Sequence, residues 1–142
     1  GTPEQIFEDP KKEKTRAFIQ RLRSHEIAIN SKEFDFIATM SGIEQFCRDN
    51  MMSAKMTGNI QLVFEELVMT NIIPQERETF SLKAEVEYSE VSGNAVMKIT
   101  YSGERFDPFE GGDDVSMMIV KKLTAEHSFE YDDINMISLK FA

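Results

Sequence analysis

The sequence predicts an α+β domain with helices on one face of a sheet. Three observations carry that expectation. Apolar residues recur at helical spacing through "GNIQLVFEELVMTNII". The period then changes to strict alternation across residues 80–101. One more helical stretch separates that alternation from a closing pair of short alternating runs.

Taken in order, "HEIAINSKEFDF" alternates at Ile27 and Ile29 and again at Phe34 and Phe36, which places a strand within 25–38. Ser41 offers an N-cap for a helix carrying Ile43, Phe46, Cys47 and Met51. A second helix follows Thr57 and stops at Pro74, with Ile60, Val63, Phe64, Leu67 and Val68 spaced i, i+3, i+4, i+7, i+8. Phe80, Leu82, Ala84, Val86 and Tyr88 then alternate with polar residues, as a strand with one buried face requires. Ser92-Gly93-Asn94 turns the chain, and Ala95, Met97, Ile99 and Tyr101 return as the partner strand. After the loop "SGERFDPFEGGDD", a helix over about Val115–Glu126 places Val115, Met118, Ile119 and Leu123 on one side. "HSFEY", a turn at Asp132-Asp133 and "INMISLKF" form a last hairpin.

Composition narrows the functional classes. With 142 residues, 41% of them hydrophobic, the chain is the size of one domain with one core. The formal charge of −9 disfavours nucleic acid as a partner, because phosphate binding needs clustered Lys and Arg. No run approaches the roughly 18 apolar residues of a membrane span, and no signal peptide is evident. A single cysteine excludes an internal disulfide and fits a reducing, cytoplasmic setting. Cys47 lies on an apolar helix face and reads as a core thiol; His25 and His127 read as structural. So few Cys and His leave a zinc site without support. Met51-Met52 and Met117-Met118 read as core filler, with an adaptable contact surface as the other use of such pairs.

Charge is unevenly spread. Residues 1–23 carry a net +2 and residues 24–142 a net −11. The expected organisation is therefore a basic linker or N-terminal extension over 1–24 and one domain over 25–142. The cluster "PKKEKTRAFIQRLR" reads as a solvated linker; the alternative is a segment lying beside an anionic membrane surface. A leading Gly in place of Met reads as the mark of a chain cut from a longer protein.

Three pieces, in this order, are "EELVMTNII" on a helix, a strand ending in "ITYSGERFDP", and "EGGDDVSMMIVKKLTAEHSFEY". Together they resemble the GHKL ATPase superfamily over about residues 57–142, and more loosely over 25–56. The nearest likeness is to the short anti-sigma-factor serine kinases, with histidine kinase ATP-binding domains as relatives. The resemblance implies an α/β fold, a two-layer sandwich with helices on one face of a mixed, mostly antiparallel sheet, together with ATP–Mg²⁺ as cofactor, a regulatory protein partner and room for a homodimer. It implies Glu66 as the catalytic residue, polarising a water toward the γ-phosphate. The family's metal-ligating Asn stands four residues after that Glu, where both share a helix face. Here Thr70 occupies that position and Asn71 comes one residue later. A regular helix would turn Asn71 by about 140° from Glu66, into the apolar stripe, and only a bulge or an early helix end would bring it back; otherwise Thr70 takes the metal-ligand position or that position is lost.

The implied nucleotide-contacting residues are Thr70, Asn71, Tyr101, Gly103, Arg105, Asp107, Gly111, Gly112 and Ser116. Tyr101 stands where the family has a base-reading Asp, and Arg105 replaces a second glycine. Phe106-Asp107-Pro108 continues the pattern. Gly111-Gly112 precede a helix opening at which Asp113 and Asp114 suit the helix dipole and repel a triphosphate. The short connection from Phe106 to Val115 resembles that branch's abbreviated lid. Two functions follow: an ATP-binding regulatory domain of the anti-sigma kinase type, or a degenerate, non-catalytic interaction or sensory module, such as a cytoplasmic part of a larger membrane protein.

Overall fold

The computed structural model describes residues 22–142, so most of the basic cluster and its expected linker or membrane-facing role lie outside the described residues. Within them the fold is α+β. Strand β1 (Leu22–Ser31) leads to helices α1 (Phe36–Asp49) and α2 (Ala54–Phe64). A π-helical segment (Glu65–Ile72) and a 3₁₀ turn (Ile73–Gln75) prolong α2. Strands β2 (Thr79–Ser89) and β3 (Ala95–Tyr101) form a hairpin. A single turn, α3 (Pro108–Gly111), precedes α4 (Asp114–Leu123), and the hairpin of β4 (Thr124–Tyr131) and β5 (Asn135–Phe141) closes the chain.

The strands form one sheet in the order β1-β2-β3-β5-β4. Every pairing is antiparallel, so the expected mixed sheet is replaced by a wholly antiparallel one among the described residues. The reason lies in pairings between distant segments: β1 pairs with the first strand of one hairpin, and β5 enters between β3 and its own hairpin partner. Leu82, Ala84 and Val86, facing Met97, Ile99, Ile137 and Leu139, form the buried face of the sheet. Ile43, Ile60, Phe64, Leu67 and Val120 from the helices pack against them in one core. Lys83 and Lys98 mark the opposite, exposed face.

Element boundaries depart from the sequence expectation where a cap was misread. Helix α1 begins at Phe36 because the Asp35 carboxylate accepts a hydrogen bond from the Ala38 N–H at 2.9 Å. The Phe34/Phe36 alternation is thus a helix start, and the expected cap Ser41 lies inside the helix. Met51 lies beyond the helix at φ 56° and is 92% exposed. Ser53 caps α2 through the Met56 N–H, earlier than the expected start after Thr57. Helix α4 ends at Leu123, since Thr124 is already extended, so Ala125 and Glu126 belong to β4. A bulge between Thr124 and Glu126 resets the alternation there. His127 stacks on Phe109 at 4.3 Å. Cys47 is fully buried, as expected of a core thiol. Of the methionine pairs, Met117 is core and Met118 is exposed. No helix among the described residues is long and apolar enough to cross a membrane.

Ile99 sits in a central strand with no exposed surface. Ile99→Ala should cost about 2–5 kcal/mol by deleting buried methylenes and leaving a cavity, read as a lower urea midpoint, whereas Lys98→Ala should stay within about 0.5 kcal/mol.

His25 in β1 stacks on Phe46 at 5.6 Å and faces Gly42 of α1. Burial holds its pKa below the ordinary value. The unfolded chain therefore binds the extra proton first, and His25 subtracts stability as pH falls below about 6.5. Between pH 7 and pH 5 the wild type should lose more stability than His25→Gln, measured by urea midpoints at each pH.

Candidate functional site

The expected site residues divide into a closed polar junction and an open cavity. The junction forms where the π-helical segment meets the N-terminus of α4. In a π turn the residue five positions on lies over the first, because each turn holds one residue more than in an α-helix. Asn71 thereby comes onto Glu66, and its Nδ2 donates to the Glu66 carbonyl at 2.6 Å. Thr70 is turned outward and exposed. The bulge alternative holds, and the regular-helix placement of Asn71 in the apolar stripe does not.

Asn71 is 4% exposed and uses both ends of its amide. Its Oδ1 accepts from the Asp113 N–H at 2.7 Å. Asp113 is also the N-cap of α4, accepting from the Ser116 N–H at 2.9 Å. The buried Ser116 hydroxyl donates to Glu66 Oε1 at 2.6 Å. Gly112 permits this approach, since a Cβ there would stand 2.4 Å from the Pro108 carbonyl oxygen and 2.7 Å from Asn71 Oδ1. Gly111 carries no such constraint, because its added Cβ would meet only Phe106 at 3.6 Å. Asp114 lies in the first turn of α4 and Lys121 and Lys122 in its last, so both ends suit the helix dipole.

The second group surrounds a cavity of about 640 Å³ between the end of the 3₁₀ turn and the loop after β3. Tyr101, Gly103 and Arg105 line it, together with Glu76, Arg77, Phe80, Phe106 and Tyr131. Tyr101 is buried, and its hydroxyl donates to the Phe106 carbonyl. Burial, followed by the charges of Asp107 and Glu76, pushes its pKa well above the ordinary value despite Arg105, so the hydroxyl stays a donor. Gly103 sits at φ +101°, a conformation that favours glycine. The Arg105 guanidinium lies over the Phe129 ring at 5.1 Å and 4.0 Å from Glu110. Asp107 is spent as the N-cap of α3, accepting from the Phe109 N–H at 2.9 Å.

Three residues that shape these regions were missed in the sequence. Asn135, fully buried, binds the loop at three points: its Nδ2 donates to the carbonyls of Tyr101 and Glu104, and its Oδ1 accepts from the Phe106 N–H at 2.8 Å. Its signal was a polar residue at an inward position of the Asn135–Ile137–Leu139–Phe141 alternation. Asp113 carries the signal of a cap in its position immediately before a helical run. Glu76, beyond the helix stop, carried no local pattern. No cluster of His, Cys, Asp and Glu fit to hold a metal occurs among the described residues.

No family model matches the chain, and no curated protein matches it by sequence.

Asn71→Ala should leave the Asp113 N–H and the Glu66 carbonyl without their partner and cost about 1–3 kcal/mol. Glu66→Gln and Ser116→Ala should couple in a double-mutant cycle by about 0.5–3 kcal/mol, and additive urea midpoints would show that the Glu66–Ser116 bond is not formed in solution.

Proposed function

We propose that this domain is a non-catalytic protein-interaction or sensory module on a GHKL-type scaffold, regulatory in role and not an ATP-turnover enzyme. The observation that carries the proposal is the closed junction. Glu66, Asn71 and Ser116, which the resemblance assigns to water, Mg²⁺ and nucleotide, are hydrogen-bonded to one another and to Asp113. The residues present do not fit ATP–Mg²⁺. The metal-ligating amide oxygen is spent on a backbone N–H, and two carboxylates stand where phosphate needs bare backbone donors. The Tyr101 hydroxyl is a donor already committed to Phe106, where the family has a base-reading acceptor. Beside the junction, Val115 and Met118 are more than half exposed on α4 and give a protein partner apolar surface to bury.

One observation favours the anti-sigma kinase alternative: the π turn sets Asn71, rather than Thr70, beside Glu66. A nucleotide titration separates the two. Millimolar ATP or ADP with Mg²⁺ should leave the melting temperature unchanged. Nucleotide at 100 times its dissociation constant would add about 2.7 kcal/mol of stability, and a shift that saturates in this way would overturn the proposal.

A further inference from the structure

The cavity between the 3₁₀ turn and the loop after β3 is separate from the closed junction, and its chemistry is different. Its volume of about 640 Å³ falls within the range of sites that take small organic molecules. Phe80, Phe106 and Tyr131 supply aromatic surface, and Glu76 supplies a carboxylate. Glu76 Oε2 is buried without a hydrogen-bond partner, a situation that costs free energy wherever it occurs. Its Oε1 lies against Gly103, 3.0 Å from where a Cβ would stand. Neither oxygen makes an ion pair among the described residues. Arg105, the guanidinium on the loop side of the cavity, is directed instead to Phe129 and Glu110.

We propose that this cavity is a binding site for a planar organic cation, an amidinium or guanidinium group, held by the Glu76 carboxylate and flanked by the aromatic side chains. Such a head group offers N–H donors to a carboxylate, and charge-assisted pairs of this kind are among the strongest hydrogen bonds in proteins. The delocalised cation also stacks on aromatic faces at small desolvation cost. Burial raises the Glu76 pKa while Lys32 lowers it, the response of a carboxylate that lacks a close cationic partner. The same head group is available from a free small molecule and from an arginine side chain of another protein.

Calorimetric titration of the 142-residue chain with benzamidine, and with its neutral near-isostere benzamide, tests the site. Benzamidine should bind at least tenfold more tightly than benzamide, and Glu76→Gln, which keeps the side-chain shape, should erase that difference. Equal affinity for the two probes, no heat from either, or an unchanged preference in Glu76→Gln would overturn the proposal. A blocked Gly-Arg-Gly peptide forms a further arm. Tighter binding than benzamidine assigns the site to a partner's arginine, and weaker binding assigns it to a free molecule. Benzamidine carries no phosphate, so these outcomes are independent of the ATP titration.

Discussion

Between Glu65 and Ile72 the helix after α2 takes one extra residue per turn, and the arrangement of the polar junction depends on that widening. It moves Asn71 from an apolar stripe to a position above Glu66, where the side-chain amide donates to the Glu66 carbonyl. The same amide then reaches across to the Asp113 N–H. The N-terminus of α4 is thereby seated on the π-helical segment through side chains that would be costly to bury unpaired. Gly112 belongs to the same constraint, since any larger residue would hold the loop away from Asn71.

A second buried amide does parallel work on the other side of the loop. Asn135 opens β5 at an inward position, and its three hydrogen bonds to Tyr101, Glu104 and Phe106 give residues 101–106 the support of a central strand. The loop is thus held at both ends, by Asn135 near the sheet and by Asn71 near α4. The cavity lies along the first of these supports, with Tyr101 directed inward and Gly103 turned against Glu76. Two asparagines therefore separate a closed, self-satisfied junction from an open cavity with an unsatisfied carboxylate.

Much of the fold was legible in the residues. The alternation of Phe80–Tyr88 and Ala95–Tyr101 has a period of two that only a half-buried strand satisfies, and the hairpin forms in that register. The stripe from Ile60 to Val68 likewise appears as buried helix surface. Starts were less legible, because a cap is a single hydrogen bond that several Ser, Thr and Asp residues could make. Asp35 and Ser53 make it, and the expected Ser41 does not. The candidate site was legible as a set of positions, Glu66, Asn71, Gly112 and Ser116 among them. Their mutual bonding was not legible, because Glu66 and Ser116 are fifty residues apart.

The sequence by itself determined the α+β class, both hairpins, the apolar faces of α2 and of the first hairpin and the placing of carboxylates at the start of α4, since periodicity and helix-end electrostatics act over a few residues. The expected apolar side of α4 does not hold, because Val115 and Met118 are exposed and Ser116, Met117 and Val120 are buried. Only the tertiary structure decided that the sheet is wholly antiparallel and that Asn71 rather than Thr70 faces Glu66. It also decided that Glu76, which has no local pattern, stands unpaired beside a cavity. Each of these depends on groups far apart in the chain, and the free energy of a buried polar group is set by the partner that packing brings to it.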